Sequence, residues 1–426
     1  MTAPIATSQT ILVVGGGISG MTAALEAAEC GREVVLVERS PTLGGRSALL
    51  YRYFPKMCHP TCGLEINLRR LKANRKIRVM TMVEVLGIEG QRGAYVATLK
   101  VRPRYVNENC TTCGDCAAAV GAEISNRYNY GQGKTKAAYL PFAMAYPQRY
   151  VLDPSLIGTE DADKAKAACK VGAVDLAMQE ETIQLAVGAV VWATGWKPYD
   201  ATKIQPYGYG RFPNVITSVE FERLADPAGP TGGKLLRPSD GREAKNIAFI
   251  QCAGSRDENH LRHCSRICCM ASLKQTHYVR EAYGDAAKST IYYIDIRAID
   301  RFEDFYQAVQ RDATVTFVKS KVASIEQAEN GDPVLHGVDT EGYHRYANPH
   351  DLVVLAIGME PESMGIALPA DVITDSSGFI EGSADGGMLA AGAAASPLDV
   401  NRSVQSATGA ALRAIKVIHQ TAKEEA

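Results

Sequence analysis

The sequence has no apolar run approaching the roughly 20 residues that a membrane-spanning helix needs, so no span is expected. It has no excess of charge either: 46 Lys and Arg stand against 47 Asp and Glu, a formal net charge of -1. Without a basic stripe, no nucleic-acid partner is expected; without an acidic tail, no disordered arm is. The opening MTAPIATSQT is short and polar and runs straight into an apolar strand, so it does not read as a secretory leader. What is present points to the interior of the cell. Eleven cysteines in a long chain without a leader read as reduced thiols, and their clustering points to metal rather than to disulfides. The 38 glycines suit an α/β nucleotide-binding protein with tight phosphate loops, and 426 residues suffice for two or three domains. A soluble, cytoplasmic protein is expected.

TILVVGGGISGMTAALEAAECG reads as a buried strand, a glycine turn and an amphipathic helix, with Gly15, Gly17 and Gly20 in G-x-G-x-x-G order. REVVLVERS then supplies a second strand ending in Glu38. In such an arrangement the N–H groups at the helix start take a pyrophosphate and the acidic residue takes a ribose hydroxyl. PTLGGRSAL follows at once, with Gly44, Gly45 and Arg46; GAVVWATGWKP (188–198) and GGMLAAGAAASPLDVNRSVQSATGAALRAI (386–415) come later. This set resembles the flavoprotein superfamily with two dinucleotide-binding domains that includes thioredoxin reductase. The resemblance implies FAD and adds Ile18, Ser19, Arg39, Ala193, Thr194, Gly195, Gly392, Ala393 and Val404 to its expected site. In that superfamily an Asp usually follows the late glycine; here Ala393 follows Gly392, which leaves the backbone after Pro397 to serve the flavin.

After the linker GPTGGKLLRPSDGRE, KNIAFIQC starts a second strand–helix unit. The glycine loop that a pyridine nucleotide needs does not follow, since CAGSRDENHLRHCSRICCMASLKQ retains only Gly254. STIYYIDIRAID, ATVTFVKSKVASI and DLVVLAIG continue the unit as strands. Cysteine replaces the missing glycines. Cys252 stands at the carboxyl end of the strand, where ligands sit in open α/β sheets. Cys264 and Cys268, four apart on an expected helix, share a face with Cys269 adjacent. The spacing C-x11-C-x3-C-C offers enough thiolates for one 4Fe–4S cluster, with Arg262, Arg266 and the helix start offsetting its charge. Structural zinc and buried inert thiols are the alternatives.

IQCAGSRDENHLRHCSRICCMASLKQ, PNVITSVEFERLADPAGPTGGKLLRPSDGRE and IYYIDIRAID closely resemble the A-type subunit of heterodisulfide reductase, the FAD-carrying iron–sulfur flavoprotein of methanogens with relatives in sulfur-metabolising bacteria. The chain looks like the short version found in sulfur oxidisers. That resemblance implies a ferredoxin-like insertion at residues 105–180. There ENCTTCGDCAAAVGAE has Cys110, Cys113 and Cys116 in C-x2-C-x2-C order, but Val120 and Gly121 stand where a ferredoxin run has its fourth Cys and a Pro. In two-cluster ferredoxins the fourth Cys of each run ligates the other cluster. Cys169, followed by VGAVDL, stands where the second run would end, so one ligand set survives while the other is lost. The alternative is four thiols in a shrunken domain without a cluster.

The expected fold is α/β, two thioredoxin-reductase-like dinucleotide-binding domains with a degenerate ferredoxin-like insertion. Residues 1–104, 181–240 and 346–426 are assigned to the FAD domain, 105–180 to the insertion and 241–345 to the second domain. The expected function is electron transfer by FAD and 4Fe–4S clusters in a heterodisulfide-reductase-like complex. A homodimer core and iron–sulfur partners of B and C type are implied. Lys274 matches a family lysine that approaches flavin N5, an exposed helical lysine being the alternative. Cys58 and Cys62 precede a helix and suggest a rival reading, a self-contained flavin disulfide reductase. A second rival is a flavin-stabilised scaffold holding zinc. His59 reads as a surface loop residue and Cys30 as core.

Overall fold

The computed structural model describes residues 6–369 and 371–424. The chain divides into two compact units: residues up to 48, 61–196 and from 361 on form the first, and 49–60 with 197–360 form the second.

The first unit opens on β1 (Thr10–Val14), a β-branched run buried along its whole length. Next come α1 (Ile18–Glu29), β2 (Glu33–Glu38), α2 (Thr61–Ala73) and β3 (Ile77–Thr81). Strands β1, β2 and β3 run parallel, with Val13 beside Leu36 and Leu36 beside Val79. β4 (Val83–Gln91) and β5 (Ala94–Val101) make an antiparallel hairpin. Then comes the insertion: α3 (Asp115–Ala119), the short pairs β6 (Glu123–Ser125) with β7 (Lys134–Lys136) and β8 (Ala138–Tyr139) with β9 (Val151–Leu152), and α4 (Glu160–Ala168). β10 (Glu181–Val187) returns to pair with β5, and β11 (Ala189–Trp192) pairs in parallel with β1. β12 (Trp196–Pro198) leads out of the unit.

The second unit carries β13 (Val215–Thr217) and α5 (Ser218–Ala225), whose first turn is closed by a Thr217–Glu220 capping box. β14 (Asn246–Ala253), α6 (Cys268–Tyr283), β15 (Lys288–Tyr293), α7 (Phe302–Gln310) and β16 (Val315–Lys319) follow. β17 (Ser324–Gln327), β18 (Pro333–Asp339) and β19 (His344–Pro349) form an antiparallel sheet, and β20 (Leu352–Ile357) and β21 (Met359–Pro361) complete the unit. The parallel sheet has the order β13-β20-β14-β15-β16. This pairing corrects the expected boundaries. Val215–Thr217 lie beside Val353–Leu355, so residues 197–240 and 346–360 belong to the second unit, not to the FAD domain. Residues 49–60 join it as well.

Back in the first unit, β22 (Val372–Thr374) and β23 (Ile380–Ser383) pair, and β24 (Met388–Ala390) extends the first sheet beside β11. α8 (Val400–Glu424) packs on α1. Ala23, Ala24, Ala27 and Ala28 of α1 share one core with Ala407, Ala410, Ala411 and Ala414 of α8. Side chains that small let the two helix backbones approach closely over the sheet. Among the described residues no helix is long and apolar enough to cross a membrane.

Candidate functional site

The glycine turn between β1 and α1 is built so that side chains are excluded. Gly15 has φ +109° and a Cβ there would lie 2.4 Å from the Ala193 carbonyl oxygen; one on Gly20 would lie 1.7 Å from the Gly15 oxygen. Gly17 begins α1 without a side-chain cap, and no acidic residue occupies the first turn, the arrangement that helix N-termini binding an anion share. Gly44 donates its N–H to the Gly16 oxygen at 2.9 Å, and Gly45 sits against Gly17. The Glu38 carboxylate accepts from the N–H groups of Gly16 (2.6 Å) and Ser40 (2.7 Å), which fixes it beside the loop. A Cβ on Gly392 would meet Ser19 Oγ at 1.9 Å, so the late glycine segment lies directly against Ser19, next to Ile18 at the head of α1. Ala393 is buried beside it and Val404 is half-buried on α8. The Thr194 hydroxyl, next to Ala193 and Gly195, is buried with no hydrogen-bond partner among the described residues. The cradle and the orphaned hydroxyl fit a dinucleotide.

Two further features of this site could not be read from the sequence. Arg39 Nη2 lies 2.6 Å from Glu362 Oε1 and Arg46 Nη2 3.8 Å from Oε2, so one carboxylate carried far down the chain holds both guanidiniums. Arg46 also donates to the Trp196 carbonyl and lies over its ring. At the head of α8, Asp399 accepts from the Arg402 N–H at 3.0 Å, so this carboxylate, six residues after Ala393, caps the helix expected to serve the flavin.

In the second unit the cysteine loop is strained. Cys252, Arg256 and Arg266 all adopt positive φ (+56°, +57° and +64°), conformations that non-glycine residues hold only where the surroundings impose them. The four thiols act on one another. Burial pushes Cys268 well above a thiol's ordinary value, and Cys252, Cys269 and Cys264 push the same way. Burial drives Cys269 up to about 12, and it raises Cys252, on which Arg256 acts in the opposite sense. The Arg297 N–H donates to Cys269 Sγ at 3.3 Å and the Arg266 N–H to Cys264 Sγ at 3.4 Å. One expectation is corrected here. Cys264 is not helical: α6 begins at Cys268, because Arg266 with φ +64° cannot continue a helix backward to it. Two guanidiniums that the sequence reading did not name also act on the thiols, Arg256 on Cys252 and Arg297 with Cys264, and Asp295 holds both. Asp295 and Arg297 follow β15 in IDIRAID and come to the cysteines only through sheet pairing. Among the described residues, no three His, Cys, Asp or Glu side chains gather closely enough to hold a single metal ion.

The insertion brings its own four thiols together. Burial pushes Cys116 up to about 11, and Cys110, Cys169 and Cys113 add to the rise. Cys110, Cys116 and Cys169 share the insertion's core with Val120, Leu156 and Ala165. Cys169 Sγ accepts from the Ala173 N–H at 3.2 Å. The Tyr150 phenol is raised by burial and then by Cys116, Cys110 and Cys113, which puts it against the same group. After Val120, the Asp161 carboxylate accepts from the Gly121 (2.9 Å) and Ala122 (2.8 Å) N–H groups. A carboxylate clamp closes the loop.

The remaining candidates fall in different settings. Lys274 is 1% exposed, so it is not a surface lysine; its ammonium lies 2.8 Å from Glu222 Oε1 and donates to the Arg52 carbonyl at 2.7 Å. Burial lowers its pKa while Glu222 opposes the fall. Glu222 also accepts from Gln275, Tyr278 and the Tyr51 N–H, so a buried network anchors residues 49–60. Cys58 and Cys62 are exposed free thiols, Cys62 in the first turn of α2. His59 lies 3.7 Å from Asp226. Cys30 is exposed, not core: it is the C-cap of α1, beyond the face that Met21, Ala24, Leu25 and Ala28 bury.

Comparison with known proteins bears directly on this geometry. Residues 10–59, spanning the glycine turn and Glu38, match the family described as FAD dependent oxidoreductase. The chain is 39% identical over 358 residues to the A-type subunit of the ferredoxin:CoB–CoM heterodisulfide reductase of Methanosarcina mazei, covering 83% of this chain and 45% of that protein. It is 36% identical over 431 residues to the second A-type iron–sulfur subunit of the CoB–CoM heterodisulfide reductase of Methanopyrus kandleri, covering 95% and 63%. The chain is thus similar, over most of its own length, to the A-type subunits of heterodisulfide reductases. It spans about half to just under two thirds of the length of these relatives. In fold it is similar to the thioredoxin reductases of T. acidophilum (TM-score 0.52, 13% identity, 97% of this chain and 99% of that one) and Lactococcus lactis (0.52, 14%, 97% and 99%).

Proposed function

We propose that the chain is an oxidoreductase component, an FAD- and 4Fe–4S-carrying electron-transfer subunit of a heterodisulfide-reductase-like complex. On this reading it works in the cytoplasm as a homodimer with iron–sulfur partners of B and C type, in sulfur oxidation. The observation that carries the proposal is the cysteine quartet at the carboxyl end of β14. It stands where a thioredoxin-reductase-like domain would need a glycine loop for a pyridine nucleotide.

Gly15, Gly17 and Gly20 would admit the pyrophosphate to the head of α1, and Glu38 would accept from a ribose hydroxyl. The buried Thr194 hydroxyl and the backbone around Gly392 would face the rest of FAD. Cys252, Cys264, Cys268 and Cys269 would ligate a cluster, which spreads its four thiolates farther apart than a single ion does. The N–H donors of Arg266 and Arg297 and the nearby guanidiniums would offset its charge. Cys110, Cys113, Cys116 and Cys169 are the candidate ligands of a second cluster. Lys274, paired with Glu222, is the proposed catalytic residue. When bound, FAD exchanges two electrons and a cluster one, so the pair converts between the two modes.

Anaerobic purification followed by flavin, iron and sulfide counts tests this reading. A yellow-brown protein with noncovalent FAD and one or two clusters per chain is expected. Cys252→Ala and Cys268→Ala should each lose about four iron atoms. A colourless preparation that FAD, iron and sulfide cannot reconstitute would overturn it.

A further inference from the structure

β14 contains a defect one residue long. Ile250 pairs with Leu355 but Ala253 pairs with Ile357, so three steps on β14 answer two on β20. The core contacts show what this does to the side chains. Ile247 and Phe249 pack with Met270 and Leu273 of α6, whereas Ala248, Ile250 and also Ala253 pack on the opposite face. Alternation therefore slips between Ile250 and Ala253. Counting forward from Phe249 puts Gln251 on the α6 face; counting back from Ala253 puts Cys252 there too. Regular pleating would have sent the two to opposite faces.

Gln251 is thus beside Cys252 on the face where α6 begins with Cys268 and Cys269. It is 5% exposed, and neither its amide nitrogen nor its amide oxygen has a hydrogen-bond partner among the described residues. A buried amide with no partner is costly and uncommon. A second such group stands nearby in the fold: Ser272 Oγ is fully buried, without a partner among the described residues, and one helical turn on from Cys268. One orphaned group thus stands on the strand that carries Cys252 and one on the helix that begins with Cys268 and Cys269.

We propose that Gln251 donates a hydrogen bond from Nε2 to the cluster held by Cys252, Cys264, Cys268 and Cys269, and thereby sets its reduction potential. This rests on the reading of that quartet as cluster ligands. A hydrogen bond to cluster sulfur stabilises the more negative, reduced state and so raises the potential. Gln251 is a tuning residue, since the four cysteines alone hold the iron.

The test is a redox titration of the anaerobically purified holoprotein followed by electron paramagnetic resonance, comparing Gln251→Leu and Gln251→Glu with the unaltered chain. Both variants should keep their iron and flavin and show a cluster potential shifted to more negative values, Glu further than Leu because it adds an acceptor and charge. Deuterium exchange in the unaltered protein should reveal an exchangeable proton coupled to the reduced cluster, and Gln251→Leu should lack it. Unchanged potential and coupling at full iron content would overturn the proposal. Should both variants lose iron, nitrogen coupling from selectively labelled glutamine in the unaltered chain decides, and its absence overturns the proposal. An unaltered chain that holds no iron at this quartet overturns the cluster reading itself, which is a different result.

Discussion

Lys274 and Glu222 show how far a residue's setting can depart from its local sequence. A lysine on a helix is ordinarily solvated, yet this one is enclosed and paired with Glu222 2.8 Å away. Replacing Lys274 with Met leaves a buried carboxylate without its cation, which should cost about 3–5 kcal/mol of stability. Lys274→Met with Glu222→Gln should lose less than the two single changes added together, as denaturant unfolding of all three variants would show. His350 makes a pH-dependent counterpart. Its neutral ring bridges Asn246 (3.0 Å) and the Tyr292 hydroxyl (3.1 Å), and burial pulls its pKa from 6.5 down to about 4, against Asp351. The unfolded chain therefore takes up this proton first. The stability is intact above about pH 6.5 and is lost as pH falls toward 4, by roughly 3 kcal/mol in all. Melting curves at pH 7 and pH 5 should differ in the unaltered protein, and His350→Gln should reduce that difference.

At the scale of elements, the glycine turn and α8 give opposite expectations for one kind of substitution. A Cβ on Gly20 would lie 1.7 Å from the Gly15 oxygen, so Gly20→Ala must push α1 away from the turn. We expect a loss of roughly 1–3 kcal/mol together with most of the bound flavin. Gly409, inside α8, meets nothing within 4 Å, so Gly409→Ala should retain flavin and gain about 0.5–1 kcal/mol. Flavin absorbance per chain and the unfolding midpoint distinguish the two outcomes. The insertion illustrates replacement at this scale. Asp161 closes the loop after Val120 with a carboxylate that accepts two backbone hydrogen bonds, at the point where a ferredoxin-type cysteine run would place its fourth Cys.

For the whole molecule, the second parallel sheet has the order β13-β20-β14-β15-β16, and no glycine turn like that between β1 and α1 follows β14. Gly254 is no substitute, since a Cβ there would meet the Tyr199 ring at 2.4 Å and the residue has φ +71°; the glycine is needed for the turn itself. Cysteine thiols occupy the strand end, and an anionic cluster there would repel a pyrophosphate at short range. NADH and NADPH should therefore fail to reduce the isolated protein at a physiological rate. Anaerobic stopped-flow mixing with NADH, following flavin absorbance, would refute this by fast, saturable bleaching.

The sequence by itself determined the local features whose chemistry is local. The glycine turn, the two-fold repeat of a buried strand followed by a helix, Glu38 at its strand end and the cysteine spacings were all legible, because each depends on neighbours within one turn or one strand. The absence of a G-x-G-x-x-G run after the second unit's strand at 246–253 was legible for the same reason. Only the tertiary structure decided what depends on pairing between distant segments. Val215–Thr217 read as part of the first domain until its sheet neighbour Val353–Leu355 placed it in the second. Cys264 read as helical until the backbone at Arg266 excluded it. Lys274 could be read as exposed until Glu222, on another helix, enclosed its charge, and Arg297 and Asp295 came to the cysteines across a parallel sheet. Partners separated by tens or hundreds of residues leave no periodic trace in one sequence, because the chain between them can take any course that the sheet order permits.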